Sequence, residues 1–387
     1  MPTASHMLHR CALWASRRNL VPRRSAPSFG WRKSVVAAAL TMTLAHADAA
    51  SAMTNDEIFT LSGRDRTQTL IDGARKEGHV VFYSSLIVDS PLRPLAEAFM
   101  KKYPFVEMTY WRGDTEAIVA KLIAEERAGR VVADALEGAG IGEAAIGTGF
   151  VVPYRTPVMD SFPQAYRDPR GLWAPTRLSY FALGYNTRLV SAADVPKTYE
   201  ELLDPRWKGK MAWRVGDSTG APMFITNLRL AWGEDKAAAY FKALAGQNLV
   251  DFGAGSARTL VDRVIAGEYP IALGIFAHHP LASKNKGAAV DSQLLPPVAS
   301  TAGTLVVPQG APHPYAAMLL VDFILSEEGQ SVLAQAGFFP ANANVPPLPW
   351  LMPVVPRNMH VPENFIRPEE ARDYSESSQK IYDALFR

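Results

Sequence analysis

Cysteine is almost absent from this 387-residue chain, since Cys11 is the only one. It falls within residues 1–47, a stretch that contains no Asp or Glu at all. The rest of the chain therefore has no thiol, which excludes disulfides and thiolate catalysis. No apolar run reaches the length needed to span a bilayer. None of the loops that follow apolar strands fits G-x-G-x-x-G, and no P-loop sequence occurs, so nucleotide phosphates have no recognisable cradle. A basic excess is missing too. The chain holds 40 Lys and Arg against 38 Asp and Glu, and residues 1–47 take seven of the bases (Arg10, Arg17, Arg18, Arg23, Arg24, Arg32, Lys33). Removing them leaves 33 bases against 38 acids, a net charge of −5, and no nucleic-acid face is implied.

What is present begins with a leader. The basic stretch is followed by a mostly apolar run over residues 35–44, then by the small-x-small patterns Ala45-His46-Ala47 and Ala50-Ser51-Ala52. This order predicts a cleaved secretory signal peptide over residues 1–47 and a product exported to a periplasm. Ser16-Arg17-Arg18-Asn19-Leu20 has a twin-arginine look but stands far ahead of the apolar run. No cysteine follows that run to carry a lipid.

Beyond the leader, helix-period and strand-like segments alternate. Residues 67–77 read as a helix stopped by Gly78, residues 79–85 (HVVFYSS) as a strand and residues 91–103 as a helix. A strand at 106–110, a helix at 115–128, a strand at 131–136 and a short helix to 148 continue the series. This spacing predicts βαβ units and a parallel, doubly wound sheet, so the fold class is α/β. After a β-like segment at 180–186 and a short helix at 197–204, a second series runs through a strand at 211–215. It continues with helices at 235–245 and 256–266 and strands at 270–273 and 303–307. Helices at 313–325 and 327–336, a strap at 345–362 with six prolines and a helix at 368–385 close the chain.

Such sheets bind ligands beyond the carboxyl ends of their strands. The loops placed there are Ser84-Ser85, Arg112-Gly113-Asp114 and Glu137-Gly138. In the second series, residues 210–232 (KMAWRVGDSTGAPMFITNLRLAW) read as strand, glycine-bounded turn and helix. Their turn, Gly216-Asp217-Ser218-Thr219-Gly220, fits two chemistries. It spells G-x-S-x-G, which can hold a serine nucleophile, Ser218, on a strand-to-helix elbow, with His278 or His279 and Asp262 downstream as base and acid. It also offers Ser218 and Thr219 as N-caps, or as donors to an anion at the positive end of a helix.

The segments LIDGARKEGHVVFYSS (70–85), ALGYNTRLV (182–190), PKTYEELLDPRWKGK (196–210) and AGEYPIALG (266–274) resemble type II periplasmic solute-binding proteins of ABC transporters. The branch they are most similar to contains ferric-ion and phosphonate binders, and the resemblance covers roughly residues 67–343. It implies two α/β lobes, each a doubly wound sheet flanked by helices, joined by a hinge of crossing strands with solute held between them. Carried over, residues 180–186 and 303–307 form the hinge. Lobe 1 is then residues 67–183 plus 305–387, and lobe 2 residues 186–302. The implied partners are a small-molecule solute and the permease subunits of an importer, with no nucleic acid, no cofactor and a monomeric chain. One departure concerns iron. Ferric binders of this family carry adjacent tyrosines after the strand placed at 270–273, whereas this chain reads Gly274-Ile275-Phe276-Ala277-His278-His279-Pro280. Neutral imidazole suits borderline divalent metals better than ferric iron. Adjacent histidines on a helix also point about 100° apart and rarely ligate one metal together.

Solute contacts are expected from Ser84, Ser85, Gly138, Ser218, Thr219 and Ser256 with their backbone N–H groups, from Asp217 beside them and from Tyr180 on the hinge strand. Arg112, Arg177, Arg214 and Arg258 are the guanidiniums available to a carboxylate or phosphonate. Each arginine can equally be a solvated charge or pair with a nearby acid, and Ser256 can simply cap its helix. Glu137 either meets a ligand amine or caps the next turn, and His278 and His279 hydrogen-bond the solute or sit at a helix start. The expected function is a periplasmic receptor for a small oxyanion, with no catalytic residue and no resident metal. A metal or metal-chelate binder and a serine hydrolase are the alternatives.

Overall fold

The helix Arg66–Glu77 ends where Gly78 takes a left-handed conformation (φ 68°), with Arg75 and Lys76 in its last turn facing the negative end of the dipole. The chain then enters the first of twelve strands among the described residues: β1 His79–Ser84, β2 Glu107–Arg112, β3 Ala135–Ala139, β4 Val151–Val152, β5 Ala174–Asn186, β6 Met211–Trp213, β7 Val250–Asp251, β8 Ile271–Phe276, β9 Val290–Gln293, β10 Val298–Pro308, β11 Phe339–Pro340 and β12 Glu363–Phe365. The computed structural model describes residues 53–215, 220–253 and 255–387, all within the unit Ala52–Arg387. The expected signal peptide and residues 216–219, and with them Asp217, Ser218 and Thr219, lie outside the described residues. Among the described residues no helix is long and apolar enough to cross a membrane.

The strands form one curled mixed sheet in the order β2-β1-β3-β10-β5-β8-β6-β7. Two parallel sets sit at its ends, β2-β1-β3 and β8-β6-β7, each made by strand–helix–strand connections as the alternation predicted. Between them β5 and β10 run antiparallel to each other and to β8 and β3, while β12 pairs with β10 in parallel. The first half of β5 pairs with β10 over Ala174–Tyr180, and its second half pairs with β8 over Phe181–Tyr185. One 13-residue strand therefore belongs to both sets. Sequence reading finds only its second half (180–186), because the first half, APTRLS, lacks a long apolar run.

Other boundaries move as well. The strand expected at 131–136 is β3, displaced toward the carboxyl end, because Asp134 uses its carboxylate to accept from the Val81 N–H before pairing begins. The strap is only partly extended, since it contains the turns Pro349–Val354 and Pro356–Met359 before β12.

Each set carries its own core. In the first, Leu70, Phe82, Phe99, Leu319 and Phe323 are buried together, and in the second Trp213, Ile225, Leu228, Phe241 and Tyr382. Tyr382 belongs to the last helix, Pro368–Phe386, which was expected with residues 67–183 but packs its end in the second core. Its Ile381, Tyr382 and Leu385 side packs on that core, and Trp213 lies 4.6 Å from the Phe386 ring.

Candidate functional site

The carboxyl ends of β1 and β3 meet β5 around one carboxylate. Glu137 is fully buried and accepts from the Ser84 hydroxyl at 2.7 Å. The Thr176 hydroxyl lies 2.9 Å from it, and Arg177 completes the set through an ion pair. Taking Glu137 from water is tolerable only because these partners satisfy its oxygens. The capping reading of Glu137 is corrected, since the N-cap of the next helix, Gly140, has no side-chain cap bond, and the Glu137 oxygens accept instead from Ser84, Thr176 and Arg177. Ser84 is buried with it, while the Ser85 N–H donates to the Glu137 carbonyl. Gly138 is required here, because a Cβ would stand 2.7 Å from the Ser85 Oγ. Gly303 on β10 has the same role opposite, as a Cβ would stand 2.6 Å from an Arg177 nitrogen.

Arg177 is nearly buried, and burial pushes its guanidinium down to about 10. Its other side faces the Phe338 ring at 5.1 Å. Arg112 ends β2 in register with Ser84 and is exposed.

The second group stands at the end of β8. His278 and His279 open the short helix His278–Lys284, with ring centroids 4.4 Å apart. His278 stacks on Phe276 at 5.8 Å and lies 6.0 Å from Phe338, the ring that Arg177 covers. The Nδ1 atoms of both histidines are buried without a hydrogen-bond partner among the described residues. Burial holds the His278 imidazole well below its usual range, with His279 and Arg177 adding to the effect. Burial, then Arg258 and Arg214, push His279 down to about 4, with Asp262 opposing. Both rings are therefore neutral at pH 7, each with one donor and one acceptor nitrogen.

Arg258 and Ser256 follow their plainer readings. Arg258 is exposed, pairs with Asp262 at 2.9 Å and reaches the His279 carbonyl at 3.4 Å. The Ser256 hydroxyl caps the helix Ala257–Ala266 by accepting from the Thr259 N–H at 3.0 Å. Arg214 is buried just after β6, and its carbonyl accepts from the Ala221 N–H at 2.8 Å.

The structure thus joins Ser84, Ser85, Glu137, Gly138 and Arg177 into one cluster and His278, His279, Arg214 and Arg258 into a neighbouring one. Tyr180 belongs to neither. Three residues beyond Arg177, it turns to the opposite face of β5 and meets the Phe339 ring edge-on at 4.8 Å. Sequence reading missed Thr176, Phe276, Phe338 and Phe339. The phenylalanine pair after Gly337 is a visible aromatic signal, but only the fold carries it to His278. Among the described residues no group of three or more His, Cys, Asp or Glu is placed to hold a metal ion.

The chain is 26% identical over 211 residues to iron uptake protein A1 of Synechocystis sp., an alignment covering 51% of this chain and 58% of that protein. Among solved structures, Trichodesmium FutA in complex with iron and citrate superposes with a TM-score of 0.68 at 19% identity, covering 80% of this chain and 99% of that one. The periplasmic binding protein AfuA of Actinobacillus pleuropneumoniae, with fructose-6-phosphate bound, gives 0.62 at 23% identity over 80% and 99% of the two chains. These neighbours share the two-lobed type II periplasmic-binding-protein fold. The family model for bacterial extracellular solute-binding proteins matches residues 132–367. That span is more than half of the chain and includes Glu137, Arg177 and the histidine pair, and the protein belongs to the bacterial extracellular solute-binding protein family.

Proposed function

We propose that this chain is the periplasmic receptor of an ABC importer and traps a small oxyanion, such as a phosphonate, phosphate ester or carboxylate, between two lobes. The lobes are residues 67–183 with most of 305–387, and residues 186–302, and β5 and β10 are the hinge. The observation that carries the reading is the pair of buried, neutral imidazoles whose Nδ1 atoms lack partners among the described residues, set among Arg177, Arg214 and Arg258. A buried polar atom left unpaired is costly, and a solute that hydrogen-bonds it recovers that cost on binding. The Arg177 charge is countered by Glu137 and that of Arg258 by Asp262, so the arginines supply field and orientation rather than a bare cationic pocket. AfuA, named with a sugar phosphate, is consistent with this class.

A second reading is a ferric or divalent metal bound as its chelate with an organic anion. The relatives named for iron, one of them holding iron and citrate, favour it. The chain has no tyrosine pair at 274–280, so the anion would then supply most of the metal's ligands. Hydrolysis by Ser218 has no support from a family of solute binders.

A thermal-shift screen of the protein lacking residues 1–47 separates the readings. It compares sugar phosphates, phosphonates and carboxylates with ferric ion and ferric citrate. A true solute raises the melting temperature because binding adds the linkage free energy to stability, about 2.7 kcal/mol at a hundred times Kd. The oxyanion reading requires a response to metal-free anions that His279→Ala abolishes. A response to ferric species alone would replace it with the chelate reading.

A further inference from the structure

A second cavity, of about 240 Å³, lies on the opposite face of β5 from Arg177. It opens between β5, β11 and the strap, with Leu178, Tyr180, Phe339, Val345 and Val355 on its walls. Phe339 divides it from the histidine pair, its ring packing on Tyr180 at 4.8 Å and standing 6.2 Å from that of His278. The space is therefore separate from the histidine cluster described above.

Its polar lining residues are Tyr166, Tyr180, Arg357 and Glu363. Glu363 lines the cavity but is already engaged, accepting from the Tyr166 hydroxyl at 2.9 Å and from the Ser300 hydroxyl at 2.5 Å. Arg357, exposed at the rim, is paired with no carboxylate among the described residues. An aromatic or branched apolar body fits those walls, and a single guanidinium at the rim complements one carboxylate. We infer that this hinge-side cavity is a second ligand site, which takes a small apolar monocarboxylate with its ring against Tyr180 and Phe339 and its carboxylate on Arg357. The inference rests on the cavity alone and is independent of which solute the cleft holds.

Benzoate is the probe, with benzamide as its neutral isostere, titrated by calorimetry against the protein lacking residues 1–47. Benzoate is expected to bind, and benzamide about tenfold or more weakly, as the loss of a charge-assisted hydrogen bond predicts. Arg357→Gln, on the exposed rim, should reduce the benzoate affinity to that of benzamide. Ala343→Phe, which fills the cavity, should abolish binding of both, whereas Arg258→Ala in the cleft should leave benzoate unchanged. Absence of benzoate binding at millimolar concentration overturns the inference. So does binding that survives Ala343→Phe but is lost in Arg258→Ala, which would place the carboxylate in the cleft. Equal affinity for benzoate and benzamide overturns the role of Arg357.

Discussion

The side chains that matter most here are buried groups whose ionisation the fold has moved. His279 is pushed down to about 4 and His278 is lowered in the same direction, both chiefly by burial. With folded values below the unfolded value of about 6.5, these rings take up a proton first in the unfolded chain. Their contribution is intact above about pH 6.5 and is lost as the pH falls towards 4. His313 works the other way: its bond to Asp134 raises it, so its contribution is present at low pH and is lost as the pH rises through its folded value. His279→Gln should therefore flatten the acid limb of the melting-temperature profile between about pH 6.5 and 4, while leaving the alkaline side as it is. An unchanged acid limb would mean that this ring is not desolvated. The Glu137–Arg177 pair makes a harsher test. Arg177→Met strands a carboxylate that is fully buried, and urea unfolding should show a loss of about 3–5 kcal/mol. A loss below about 1 kcal/mol would mean that Glu137 simply takes up a proton in its place.

At the scale of the element, capping and strand length decide what reaches the site. Ser256 was a candidate solute donor, yet its hydroxyl is used at the start of the helix Ala257–Ala266. Ser256→Ala should then cost about 1 kcal/mol in chemical denaturation and leave solute affinity unchanged. A tenfold loss of affinity would restore it to the site. β5 shows the effect of length. Over 13 residues it reaches from the first parallel set to the second, and its alternation sends Arg177 to the Glu137 cluster and Leu178 and Tyr180 to the cavity on the opposite face. The tyrosine could not be assigned a face from sequence, because the start of the strand was not legible there.

For the whole molecule, the last helix is a second element, after β5, that ties the two sets together. At its start Pro368 lies against Gly142, and Glu369 pairs with Arg170 of the first set. Further on, Arg229 covers the Tyr374 ring at 4.6 Å, the Ser378 hydroxyl meets Thr226 at 2.8 Å and the Tyr382 hydroxyl donates to Asp251 at 2.9 Å. Tyr382→Ala removes a fully buried ring from the second core, and calorimetry should register about 3–5 kcal/mol of destabilisation. If instead the melting temperature hardly moves, this end of the helix detaches at little cost.

The α/β alternation, the two series of strands and helices, most helix limits and the family were all legible in the sequence. Those properties follow from local periodicity, glycine stops and short motifs, which need no tertiary partner to be expressed. So were the loops that end β1 and β3, because ligand loops of such sheets lie at strand carboxyl ends. Local pattern carries no information about which side chains face one another across 40 or 100 residues. Only the tertiary structure decided that Glu137 is consumed by Ser84, Thr176 and Arg177, that Phe338 lies between Arg177 and His278, and that Tyr180 turns away from them. The final helix follows the same rule: a helix was expected at 368–385, but the core that buries its end was chosen by long-range packing against Trp213.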